Sequence, residues 1–483
     1  MQKLRLVRTE VIAGLVVALA LIPEALSFAV LAGVDPRVGL FTSFTMAVSA
    51  AILGGRPGMV SGAAGATALV IAPLVAAHGM EYLIATVLLA GLFQILLGLA
   101  GLARLMRFIP RSVMVGFVNS LCILIFAAQV PHLIGHGWTT AAVAALGIAL
   151  MVAVPRITRV VPAPLVTVVG LAAVVWVSGA PVPQLSGEGE LPDSLPGLVL
   201  PDVPMTLETL RIIAPYALAV ALVGLMESLL TAKLVDDITD TPSNKTREAL
   251  GQGGANLITG LFGGMGGCAM IGQTMVNVKE AGARTRLSAA MAGVWLLLLV
   301  VGLGDTVGRI PMAALAAVMV VVAVTTFDWH SIAPSTLRRM PRSETAVMVV
   351  TVAVVVATEN LAIGVIAGVI VALMLFARRV AHLAGVRRQV AEVDGAAQVT
   401  YRITGELFFA SSNDLYSQFS YAADPELVVI DLSDAHVWDA STVAVLDSVE
   451  AKYHRLGKQV EIRGLDHASA RMHERLSGQL GVE

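Results

Sequence analysis

Two carboxylates stand in the middle of apolar runs, Glu227 in LVGLMESLLTAKL and Glu24 in LIPEALSFAVLAG. An ionised acid at membrane depth costs at least ~2.5 kcal/mol on insertion scales, so such residues are functional candidates. Desolvation disfavours the charged form. A carboxylate that gains a proton as a site closes and releases it as the site opens can therefore couple proton movement to that of an anion. The competing reading for each is a satisfied structural acid, paired with Lys233 in the case of Glu227.

The second source of chemistry is backbone. GLFGGMGGCAMIGQTMVNVKEAG (260–282) interrupts a strongly apolar sequence with Gly260, Gly263, Gly264, Gly266, Gly267, Gly272 and Gly282. Each glycine costs a helix about 1 kcal/mol relative to alanine, which argues against an unbroken span. After Gly272 the pattern restarts as a helix of roughly two turns, ~12 Å, too short for a ~30 Å hydrocarbon core. GGRPGMVSGAAGATALVIAPLV (54–75) has the same character. Two half-length segments at corresponding places point to a binding site at the interface of inverted repeats. Their free N–H groups and partial positive ends attract an anion. The expected donors are the backbone of Ala64, Gly65 and Ala66 and of Gly272, Gln273 and Thr274, assisted by the side chains of Thr67, Gln273 and Thr274. Ordinary helix capping and small-residue helix packing are the alternatives.

Of 483 residues, 57% are apolar and 14% charged, against roughly 25% charged in soluble domains. The mean hydropathy is +0.82, so the chain reads as an integral membrane protein in contact with the lipid bilayer. A net charge of -2 gives no reason to expect a nucleic-acid partner. Cys122 and Cys268 indicate neither a disulfide nor a metal site, the nine histidines lack ligand spacing, and no nucleotide loop is present. The reading is therefore no enzyme, no cofactor and no ATP-driven step. The first apolar run continues past Ala20 to Gly33, as a retained helix would.

Apolar segments recur near 11–33, 39–55, 82–101, 112–134, 141–157, 163–179, 212–235, 247–264, 286–304, 312–327, 345–359 and 361–379. With the two half-helices they make fourteen. The polar stretch 180–211 separates seven from seven, and an odd number per half inverts the second, giving repeats of about 11–179 and 212–380. Lys3, Arg56, Arg104, Arg107, Arg159, Lys245, Arg286 and Arg379 fall with most other basic residues on one side of this layout. Arg37, Arg211 and Arg309 fall on the other, alongside Glu188, Glu190, Asp193 and Asp202. Positive charge collects inside, so both termini are expected in the cytoplasm. After residue 388 the composition becomes that of a soluble domain, 389–483. Strands at 399–405, 427–433 and 459–465 alternate with helices at 412–421, 440–457 and 466–480, an α/β sheet domain.

The order of LIPEALSFAVLAG, DPRVGLFTSF, MESLLTAKLVDD and GQGGANLITGLFGG, followed by this domain, resembles the sulfate permease family of anion transporters, whose last domain is a STAS domain. The resemblance covers nearly the whole chain. It implies a helical membrane fold of fourteen segments, with a core (segments 1–4 and 8–11) moving elevator-like against a gate (5–7 and 12–14), usually in homodimers. It places Phe28 in the substrate pocket and Glu227 at a cation-binding acid of sodium-coupled bicarbonate carriers. Thr231 matches one accompanying hydroxyl, but Ile271 replaces the other, which favours protons. It places Asp439, Ala440 and Ser441 at a phosphorylation motif, so that Ser441 is a regulatory site or, on the local reading, a helix cap. The expected function is proton-coupled symport of a small anion in a bacterial-type inner membrane, with dicarboxylates such as fumarate first. Sodium-coupled or exchange transport of bicarbonate or sulfate and a passive anion channel are the alternatives.

Overall fold

The computed structural model describes residues 2–101, 109–134, 137–157, 162–187, 196–382, 384–393 and 396–479. Arg104, Arg107, Arg159, Glu188, Glu190 and Asp193 lie outside them. Two compact units, Met1–Val369 and Ile370–Glu483, make up the chain.

The first unit is helical. Its elements are α1 (Gln2–Ala32), α2 (Pro36–Leu53), α3 (Gly65–Leu99), α4 (Arg111–Leu133), α5 (Gly137–Ile157), α6 (Ala163–Ser178), α7 (Leu207–Thr239), α8 (Lys245–Leu261), α9 (Ile271–Met275), α10 (Arg286–Gly308), α11 (Met312–Thr326), the short α12 (Pro334–Arg339), α13 (Arg342–Thr358) and the first part of α14 (Leu361–Ala381), within which the division between the units falls. α3 is two arms broken at Gly79, whose φ of +80° and ψ of -169° no helix contains. With α12 set aside and α3 counted twice, these are the fourteen expected segments. α9 runs on as a wider π turn, Val276–Glu280, so the half-helix starts two residues before Gln273. Among the described residues, seven helices are individually long and apolar enough to cross a membrane.

Small residues decide how the helices group. Gly91 and Gly253 let α3 and α8 approach to backbone contact, and Gly14 does the same for α1 against α10. α1, α2, α3, α7, α8, α9 and α10 pack as one bundle. α4, α5, α6, α11 and α13 pack as another, and Gly364 and Gly368 of α14 close on Thr351 of α13. This is the division that the resemblance implies. α1 touches both bundles.

The two extended segments before α3 and α9 pair across the first bundle. β1 (Ser61–Gly62) runs antiparallel to β2 (Cys268–Ala269), Ser61 opposite Ala269 and Gly62 opposite Cys268. A Cβ on Gly267 would stand 2.1 Å from the Gly62 carbonyl oxygen, so only glycine allows the crossing.

The second unit contains a four-stranded sheet ordered β3 (Gly385–Val393), β4 (Ala396–Leu407), β5 (Leu427–Val437) and β6 (Gln459–Arg463). β4, β5 and β6 are parallel, and β3 is antiparallel on the edge. The boundary expected after residue 388 falls inside β3. This strand is largely solvent-facing and lacks the alternation that marked the others. The helices are α15 (Phe409–Leu415), α16 (Ala440–Arg455) and α17 (His467–Leu476). Buried Asp424 is held there by Tyr401 Oη (2.6 Å), Tyr453 Oη (2.5 Å) and the Arg388 guanidinium (2.7 Å).

Candidate functional site

α3 and α9 leave the antiparallel β1–β2 ribbon from its opposite ends, so their N-termini face each other. The N–H groups of Ala64, Gly65, Ala66, Gly272 and Gln273 meet no protein acceptor among the described residues. That of Thr274 differs from expectation, because it donates to the Met270 carbonyl (3.2 Å). The first turn of α9 closes two residues earlier than expected and withdraws it.

The hydroxyls are also committed. Thr67 donates to the Ala64 carbonyl (2.9 Å). Thr274 Oγ1 accepts from the Val60 N–H (3.0 Å), stitching α9 to the β1 side of the crossing. Thr231 donates to the carbonyl of Glu227 (2.8 Å) and reaches that of Ala269 (3.4 Å). These three shape the site rather than presenting free hydroxyls. The Phe28 ring is buried on Gly65, where a Cβ would lie 2.8 Å from ring carbon Cε1. Gly272 faces open space, whereas Gln273 is buried and its amide meets Glu24.

Glu227 is 9% exposed on α7. Its carboxylate accepts from Cys268 Sγ at 3.0 Å. Lys233 is exposed on the same helix, and no ion pair joins the two. One helical position on, Ser228 Oγ accepts from the Ala269 N–H (3.0 Å). Asn256 clamps Gly267 from both sides, its Oδ1 accepting from the N–H (2.9 Å) and its Nδ2 donating to the carbonyl (3.0 Å). Gln94 Oε1 receives the same amide nitrogen (2.9 Å). Sequence reasoning missed Cys268, Ser228 and Gln94 as members of this site. A thiol or amide inside an apolar run carries no signal until the ribbon it serves is known. Among the described residues, no group of three or more His, Cys, Asp or Glu is placed to hold a metal ion.

The model of the sulfate permease family matches residues 7–158 and 136–351, and that of the STAS domain matches 387–478. The chain belongs to the sulfate permease family. Over 96% of its length it is 48% identical to YbaR of Bacillus subtilis (strain 168), covering 95% of that protein. It is 26% identical to the bicarbonate transporter BicA of Picosynechococcus sp., over 98% of this chain and 91% of that one. The solved transmembrane domain of a cyanobacterial BicA superposes with a TM-score of 0.65 at 25% identity, covering 76% of this chain and 97% of that domain. Murine Slc26a9 in its inward-facing state shares the fold at a TM-score of 0.83 and 16% identity, over 97% of this chain and 87% of that one. This sulfate permease family member is thus a multi-pass membrane transporter and not an enzyme.

In the STAS domain, Asp439 is the N-cap of α16, accepting from the Thr442 N–H (3.0 Å). Ser441 therefore does not cap, as the local reading had it. It lies exposed in the first turn.

Proposed function

We propose that this protein is a secondary active anion transporter that carries a small dicarboxylate such as fumarate together with protons. The anion binds between the amides of Ala64, Gly65 and Ala66 and those of Gly272 and Gln273, against Phe28. Two helix ends of about half a positive charge each suit weak, reversible binding. Glu227 carries the reading: a buried carboxylate whose partner is a thiol and not a cation. Charged, it repels an incoming anion, by about 4 kcal/mol for unit charges 4 Å apart at an effective dielectric constant of 20. Protonated, it does not, so proton and anion favour each other's binding, and by linkage the effect is reciprocal. Glu24, beside Gln273, is the second proton site.

Transport follows from the bundle of α1–α3 and α7–α10 moving against the other, with α1 at their boundary. The protein works as a homodimer in a bacterial-type inner membrane, with both termini in the cytoplasm. Similarity to BicA favours one second reading, sodium-coupled or exchange transport of bicarbonate or sulfate. Against sodium stand Ile271 at the position of a cation-binding hydroxyl and the commitment of Thr231 to backbone carbonyls.

The test is uptake of radiolabelled fumarate, sulfate and bicarbonate into proteoliposomes under imposed proton or sodium gradients, for the parent and Glu227→Gln. An inward proton gradient is expected to accelerate fumarate uptake in the parent and not in the variant. Sodium-driven uptake would move the assignment to the second reading. Non-saturating flux that survives in Glu227→Gln would make the protein a channel.

A further inference from the structure

A recess of about 390 Å³ opens between α1, α6 and α10. Its size is that of small-molecule sites, roughly 300–1,000 Å³, but its chemistry does not suit a small anion. Leu19 and Ile22 of α1, Val169 and Ala173 of α6 and Leu299 of α10 make its walls apolar. The one charged residue lining it is Arg309, in the turn after α10. Arg309 is exposed and, among the described residues, pairs with no carboxylate. Trp176, 71% exposed near the end of α6, lines the same recess. Tryptophan is enriched at the level of lipid headgroups, and arginine extends its charge to that level from an apolar stem. Arginine also forks onto phosphate oxygens. An apolar trench ending in one free guanidinium and an indole is complementary to an amphipathic molecule with an acidic head.

We propose that this recess holds one anionic phospholipid, its phosphate on Arg309 and one acyl chain between α1, α6 and α10. α1 and α10 belong to one bundle and α6 to the other, so the lipid occupies the boundary that must slide. Pro23, in the lining, immediately precedes Glu24. The site owes nothing to which anion is carried, so it stands whether or not the proton-coupled reading holds.

Native mass spectrometry of the full-length protein, exchanged in mild detergent with phosphatidylglycerol or phosphatidylcholine, counts the retained lipid. One phosphatidylglycerol per protomer is expected, with phosphatidylcholine several-fold lower. Arg309→Gln should lower phosphatidylglycerol to the phosphatidylcholine level, and Ala173→Phe, which fills the recess from an exposed position, should lower both. Size-exclusion chromatography reports that each variant is folded. Equal retention by the parent and both variants overturns the proposal, as does a parent that retains no lipid or does not discriminate between the two. Loss in Ala173→Phe with full retention in Arg309→Gln overturns the assignment of the phosphate to Arg309.

Discussion

At the scale of single residues, the contact between Cys268 and Glu227 has the most to say about chemistry. A thiol is a weak donor, yet it is the side chain that meets the buried carboxylate. A hydrogen bond to a charged group is worth about 1.5–3 kcal/mol, and leaving the acceptor unpartnered forfeits it. Cys268→Ala is therefore expected to lower proton-driven uptake about tenfold, which corresponds to about 1.4 kcal/mol. Cys268→Ser, which keeps a donor, should stay within threefold of the parent. The ribbon itself is held by Ser228 and Asn256, so both variants should still unfold cooperatively in detergent, Cys268→Ala at a lower temperature than Cys268→Ser. Uptake by Cys268→Ala at the parent's rate would make the contact incidental. Glu227 was legible in the sequence because a carboxylate in an apolar run is costly. Its thiol partner was not, because buried cysteine reads as one more small apolar residue.

At the scale of elements, the β1–β2 crossing sets where both helix starts point. The glycine-rich interruptions announced that the helices break, but two-residue strands are too short for an alternating pattern, so their pairing left no trace in the sequence. Gly267 and Gly272 separate the two demands placed on this region. A methyl on Gly267 meets the Gly62 carbonyl at 2.1 Å, which neither backbone can relieve. Overpacking of this kind costs about 1–3 kcal/mol and sometimes more. Gly267→Ala should therefore lower the unfolding temperature and abolish uptake together. A methyl on Gly272 meets nothing within 4 Å, and alanine favours a helix over glycine by about 1 kcal/mol. Gly272→Ala should keep or raise the unfolding temperature while lowering the apparent anion affinity, since the methyl enters the space between the two helix starts. If it leaves affinity untouched, the anion does not sit there.

At the scale of the whole molecule, the fourteen segments and the change to a soluble domain were readable from apolar run lengths and from charge. The sorting of helices into two bundles came from the resemblance and not from these patterns, since a span apolar on every side does not declare which face packs against protein and which meets lipid. β3 escaped for the opposite reason, being an edge strand with little to bury. The terminal domain makes its own prediction through Tyr453, whose hydroxyl donates to Asp424 at 2.5 Å. Burial pushes the Tyr453 phenol well above its ordinary value of 10.0, and the neighbouring carboxylate adds to the rise. A phenol whose pKa is higher in the folded state contributes stability that is full below its unfolded pKa. That contribution is lost as pH rises above about 10 toward the folded value. Calorimetric unfolding of the full-length protein between pH 7 and 11 should therefore show this domain's transition falling on the alkaline side. Tyr453→Phe removes a hydrogen bond to a charged group and should cost about 1.5–3 kcal/mol near neutrality, while flattening the alkaline decline. A variant that is less stable at neutral pH but declines as steeply as the parent would show that the alkaline loss belongs to other groups.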